Sequence, residues 1–252
     1  MKNRMKKAFV AALLCVAASV FADEKSDALI QAAKSNNAAE MARLIADGAD
    51  VNATMDKYST TVLMYAAKNN VVDVAKVLIA AGADVNARDW WNITVLMYAA
   101  NANAVDITRL LIEAGADVNA ISKYNITALM NAITGEGNTA DVVKLLIESG
   151  ADVKAKDDKG NTTLMIAAIY KAADVAKILI AEGVDINARD NDGKTALMLA
   201  AEYNAVGVAE SLIKVGADVD AQDKDGRTAL WWAKNRKAKD VLALLKAAGA
   251  KE

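Results

Sequence analysis

The sequence contains no histidine, and its one cysteine, Cys15, lies in an apolar stretch near the N-terminus. Metal centres built on those two ligands are therefore excluded, as is the disulfide framework on which many small exported domains depend. Carboxylates, lysines, hydroxyls and backbone groups remain as potential catalysts. No Gly-x-Ser-x-Gly elbow, phosphate-binding glycine loop or zinc motif organises them. The chain also lacks a basic excess, with 30 Lys and Arg against 32 Asp and Glu. Four of the basic residues, Lys2, Arg4, Lys6 and Lys7, are grouped at the start; without them the balance is −6. That argues against a nucleic-acid partner, which needs a basic face to meet phosphates, and more weakly against an anionic membrane surface.

The basic start is followed by Phe9 to Phe21, apolar apart from Ser19, and by Val20-Phe21-Ala22. This has the form of a secretory leader, residues 1–22, cleaved after Ala22. The apolar run is about 13 residues, short of the roughly 20 that a membrane span needs, and no later stretch reaches that length. Leu14 precedes Cys15 where a lipoprotein leader would carry a small residue. Export is the expectation, to the periplasm of a bacterium first and to the medium as the alternative, with no membrane insertion after cleavage. About 230 residues remain, enough to bury a core without cross-links.

Those residues are repetitive. Gly82-Ala83-Asp84 returns at Gly115, Gly150 and Gly216, and altered at Gly183-Val184-Asp185; an earlier copy starts at Gly48. The spacing is 33 to 35 residues. Such a period means stacked units, none of which buries its apolar face alone. In the unit starting at Thr94, that threonine caps a first helix with Leu96, Met97, Ala99 and Ala100 facing neighbours. A polar turn spans Asn101 to Ala104, and a second helix runs from about Val105 to Glu113. Gly115 then supplies the left-handed residue that ends it. Seven units fit, starting near Asp27, Thr61, Thr94, Thr127, Thr162, Thr195 and Thr228, so residues 23–252 form one domain. One residue is inserted between Asn52 and Asp56, and two in Thr134 to Asn138.

Thr195-Ala196-Leu197-Met198-Leu199-Ala200-Ala201 and Gly216-Ala217-Asp218-Val219-Asp220 resemble the ankyrin repeat, and the resemblance covers residues 27 to 250. It implies an all-α solenoid of seven helix-loop-helix units joined by hairpin-like loops. It also implies a concave face, lined by loop tips and first helices, that grips another protein. This chain departs from the family pattern in two positions. The family's proline is replaced by Val62, Val95, Ala128, Thr163, Ala196 and Ala229. Its histidine is replaced by Met64, Met97, Met130, Met165, Met198 and Trp231, which must fill the space by packing.

The six loops divide into two sets. The last three carry a turn glycine, at Gly160, Gly193 and Gly226. The first three use Ser59, Asn92 and Asn125 there and place Tyr58, Trp91 and Tyr124 one position earlier, with Ile93 and Ile126 close behind. Loop tips face solvent, and Trp and Tyr are favoured interface anchors. Tyr58, Trp91, Ile93, Tyr124 and Ile126, extended inward by Tyr65 and Tyr98, are therefore the candidate protein-binding residues; sideways packing between loops is the competing explanation. Trp90 has a second option, turning into the stack, and Trp232 either faces the concavity or shields the last unit. The aspartates recur at two turn positions, 89/157/190/223 and 84/117/152/185/218, where such side chains cap their own backbone. No catalytic residue, metal or cofactor is expected. A non-enzymatic exported scaffold or regulator fits best, with a monomer compatible. A self-associating envelope protein and a secreted effector acting on host proteins stay open.

Overall fold

The computed structural model describes residues 24–251; the expected leader lies outside them. The described residues form fourteen helices: α1 (24–34), α2 (Ala38–Ala46), α3 (Val62–Lys68), α4 (Val72–Ala80), α5 (Val95–Asn101), α6 (Val105–Glu113), α7 (Ala128–Thr134), α8 (Ala140–Glu148), α9 (Thr163–Ile169), α10 (Ala173–Ala181), α11 (Ala196–Tyr203), α12 (Val206–Lys214), α13 (Ala229–Asn235) and α14 (Lys239–Ala247). They make seven pairs. First helices pack on the first helices of adjacent units, second helices on second helices, and each pair on itself. The result is an all-α two-layer stack with one continuous core. Between pairs, hairpin-like fingers project, three of them closed by single antiparallel bridges such as Arg88 with Thr94. The first unit begins earlier than expected, since the chain is already helical at residue 24, ahead of Asp27.

Local chemistry sets the helix ends. Each threonine from Thr61 to Thr228 accepts the backbone N–H three residues on, at 3.2–3.4 Å. A cap of this kind is worth about 1 kcal/mol. The methionine at that third position answers in three units. Its Sδ accepts the N–H of the capping threonine at 3.4 Å from Thr61 and Thr162 and at 3.5 Å from Thr94. Methionine thus fills the histidine's place by packing, fully buried at Met64, Met97 and Met130, and also acts as a weak acceptor. Trp231 does not follow suit. Its indole is 42% exposed, while Trp232 is the buried one at 6%. The reason is local: the Trp232 N–H donates to Asp223 at 3.1 Å, which holds that ring inward and leaves Trp231 packed edge-on against it at 5.0 Å.

The inserted residues are absorbed without slack. In the first finger the N–H of Met55, one residue earlier than in the other fingers, takes the cross-finger bond to the Thr60 carbonyl, while the Asp56 carboxylate still accepts the N–H groups of Tyr58 and Thr60 at 2.8 and 3.1 Å. In the fourth unit the longer turn is clasped from the unit before it: Asn101 donates to Asn131 and Thr134, and Asn103 to the Asn138 carbonyl. Gly135 is sterically required there, because an added Cβ would stand 2.5 Å from the Asn101 carbonyl oxygen.

Two ladders tie unit to unit. Along the fingers, the carbonyls of Tyr58, Trp91, Tyr124, Lys159 and Asp192 each accept an N–H from the next finger at 2.9–3.2 Å. Behind them, Asn52, Asn86, Asn119 and Asn187 each accept the N–H of the aspartate in the next unit at 2.8–3.0 Å. The fourth unit has Lys154 in that place, and the Asp185 N–H finds no acceptor among the described residues. At the same joint Val184 replaces alanine, its N–H lies 3.5 Å from the Leu179 carbonyl where the equivalent alanines stand at 2.9–3.0 Å, and a cavity of about 320 Å³ opens beside Lys154 and Asp185.

Candidate functional site

Each finger is built on one side chain at its base. Asp89 accepts the N–H groups of Trp91 and Ile93 at 2.8 and 2.9 Å, and Asp157, Asp190 and Asp223 repeat the pattern. Ser122 does the same with a hydroxyl at 3.2 Å. The second aspartate row caps itself likewise, as when Asp84 accepts from Asn86. These carboxylates are structural, as their register suggested. The turn then needs a left-handed residue, and Ser59, Asn92 and Asn125 supply it at φ 63°, 58° and 55°. Asparagine tolerates this conformation better than most residues, so the fingers close without glycine and carry an aromatic instead.

The structure brings some of the candidate residues together. Tyr58 and Trp91 touch, ring centroids 5.1 Å apart, and remain 39% and 37% exposed; Tyr124 is 55% exposed. All three carry ladder carbonyls, so their backbones are fixed relative to one another. Ile93, Ile126, Tyr65 and Tyr98 are half-buried and lean on the core. Tyr98 is held further, its hydroxyl donating to Asp89 at 2.8 Å. Burial, then that bond to a carboxylate, pushes its phenol far up, so it is no proton donor near neutral pH. The accessible part of the surface is thus Tyr58, Trp91 and Tyr124. Trp90 belongs with them, because it does not turn into the stack: it is 62% exposed, with Lys123 5.3 Å above its ring. Its backbone N–H is committed to the Tyr58 carbonyl, which points the side chain outward.

Trp232 shields the last units. Lys194, Arg227 and Arg236 lie 3.9, 4.7 and 5.9 Å from its ring. Glu202 joins two of these cations, at 2.8 Å from Lys194 and 2.6 Å from Arg236. Burial would raise the Glu202 carboxyl, but the two cations more than offset this and hold it below its ordinary value. Two exposed tyrosines escaped sequence reasoning, Tyr170 and Tyr203. They sit at the ends of first helices 33 residues apart, a register match that was available as a signal. Among the described residues no group of His, Cys, Asp and Glu could hold a metal ion, and no helix is long and apolar enough to cross a membrane.

The architecture has its counterpart in a family model, described as Ankyrin repeats (3 copies), which matches residues 2–89, 90–157, 134–223 and 164–251. The chain is an ankyrin repeat protein. The first match includes most of the stretch read as a leader. No curated relative matches the chain. Ankyrin repeat domains in general mediate protein–protein contacts and are non-catalytic. In this ankyrin stack the finger turns are closed by Ser59, Asn92 and Asn125 in the first three fingers and by Gly160, Gly193 and Gly226 in the last three.

Proposed function

We propose that the protein is an exported, non-enzymatic scaffold or regulator that binds another protein through the aromatic fingers and inner helices of units two to four. The observation that carries this reading is the exposure of Tyr58, Trp91 and Tyr124 on three consecutive fingers whose backbones are bonded to each other. Large aromatic side chains held on a prestacked frame lose little freedom on binding, which favours affinity. Turn formation gives no reason for them, since the next three fingers close without an aromatic. Export, to the periplasm or beyond, rests on the basic-then-apolar form of residues 1–22.

The test of the surface is capture of a partner from an envelope extract with residues 23–252. The captured protein's affinity is then measured against the Trp91→Ala, Tyr124→Ala double variant. The expected loss is more than about 2 kcal/mol with little change in thermal unfolding. Unchanged affinity would remove the fingers from the interface. Fractionation of producing cells, with N-terminal sequencing of the product, tests export; an intact N-terminus in the cytosol would overturn it.

A further inference from the structure

The inner side of units four to six differs from that of units two to four. Two adjoining clefts, of about 560 and 510 Å³, run between the fingers and the first helices there. Tyr170 and Tyr203 line the first, with Tyr124 at its edge, and Tyr203 also lines the second. These rings are 54%, 42% and 55% exposed. Elsewhere the protein places its own cations over three of its four exposed aromatics, Lys57 over Tyr58, Lys123 over Trp90 and Arg227 over Trp231, and the fourth, Trp91, packs on Tyr58 instead. Tyr124, Tyr170 and Tyr203 have no such cation among the described residues.

The charge of the clefts points the same way. Their acidic side chains are Asp157, Asp158, Asp190, Asp192 and Glu202, against Lys159 and Lys194. Asp157 and Asp190 are occupied in their finger turns, and Glu202 is shared between Lys194 and Arg236. The carboxylates of Asp158 and Asp192 accept no bond from any described residue. Three uncovered π faces beside two exposed carboxylates that no described residue engages match a cation, which is attracted to both.

We propose that this cleft receives an extended segment of a partner protein bearing lysines or arginines. The inference rests on the protein-binding reading and adds a partner chemistry and a second location to it. Tyr170 and Tyr203 are one unit apart, and packed helices lie roughly 8–10 Å apart. An extended chain in the polyproline-II form has three residues per turn and rises about 3.1 Å per residue, so cations at every third residue fall on one face about 9 Å apart and come into register with successive tyrosines.

The probe is a labelled peptide with lysine at every third position and serine between, compared by anisotropy with its glutamate counterpart. The lysine peptide is expected to bind, more weakly as salt rises, and the glutamate peptide not to bind. Asp158→Asn with Asp192→Asn, both isosteric, should weaken it about fivefold. The charge-matched pair Asp73→Asn with Asp106→Asn, on the exposed outer helices, should leave it unchanged. Tyr170→Ala with Tyr203→Ala should weaken it at least as much and should act at high salt too. Equal binding of both peptides, or equal loss from both aspartate pairs, overturns the inference. So does salt-sensitive self-association in place of peptide binding, which would assign the cleft to the basic last unit of a second copy. A captured partner that needs Trp91 and Tyr124, alongside no preference for the lysine peptide, sinks this inference and leaves the protein-binding reading standing.

Discussion

Replacing Lys154 by asparagine should strengthen the stack at its weakest joint. At the joints before and after it, an asparagine accepts the N–H of the next unit's aspartate at 2.8–3.0 Å. Asn86 and Asn119 also donate to the following glycine carbonyl, at 3.1 and 2.9 Å. Lys154 is a donor only and cannot accept, and among the described residues the Asp185 N–H has no acceptor. The amide introduced by Lys154→Asn would supply both bonds. Each is exposed to water, so the lower half of the usual range applies, about 0.5–1 kcal/mol per bond. The pair then gives roughly 1–2 kcal/mol, or about 2–8 °C in midpoint for a chain of this size. Because a repeat stack is held by nearest-neighbour contacts, the gain should appear at this joint first. Hydrogen exchange is the direct assay: the Asp185 amide should exchange fast in the natural chain and slowly in Lys154→Asn. Urea unfolding of the same pair gives the total. The converse substitution, Asn119→Lys, should cost a similar amount. If Lys154→Asn leaves both the amide and the midpoint unmoved while Asn119→Lys is harmless, the asparagine row contributes nothing and the reasoning fails.

Further outcomes follow from the same structure. Gly135→Ala should destabilise by about 1–3 kcal/mol, read by thermal unfolding, because its methyl would meet the Asn101 carbonyl at 2.5 Å; an unchanged midpoint would show that the inserted turn has slack after all. Ser59→Gly should stabilise by about 0.5–1 kcal/mol, since Ser59 holds φ 63° and its side chain makes no bond in the turn. Glu202 and Asp223 both have carboxyls held below their ordinary values. In each, burial acts upward and is outweighed: by Lys194 and Arg236 at Glu202, and by bonds from Arg227, Asp225 and Trp232 at Asp223. A depressed folded value means stability that is present above the unfolded pKa and lost as pH falls through the folded one. Tryptophan fluorescence should therefore report loosening of the last units as pH falls below the usual carboxylate range. Glu202→Gln should be less stable at neutral pH and less sensitive to acid, and an unaltered acid profile would count against the pairing.

The periodic parts of the structure were readable from the sequence, because each rests on residues close together in the chain. The Thr94 cap, the Val105–Glu113 helix and the left-handed residues at Ser59, Asn92 and Asn125 all follow from spacings of a few residues. The links between units were harder. The Asn52 row acts on amides about 32 residues away, and its asparagines read as ordinary turn residues until the neighbouring unit is in place. The gap at Lys154 is invisible for the same reason. Trp231 and Trp232 were assigned by register, yet their burial is decided by Asp223 and three cations from neighbouring segments. Trp90 was ambiguous because its direction depends on its N–H reaching the preceding finger. At the candidate surface, sequence identified the three aromatic tips but not Tyr170 and Tyr203. Their 33-residue spacing was visible in the sequence, but a tyrosine at a helix end has no evident use until the fingers opposite it close a cleft.

The sulfur acceptors at Met64, Met97 and Met165 carry one more implication. An imidazole in their place would gain or lose a proton around neutrality, and the helix starts would feel it. A thioether does not titrate, and the chain has no histidine anywhere, so acidification from pH 8 to about pH 5 should pass almost unnoticed by these helix starts. The exposure is to oxidants instead. Conversion of such a buried sulfur to a sulfoxide would set a polar oxygen inside the core. While the stack is closed these atoms are out of reach, so accumulated sulfoxide would record how often it opens.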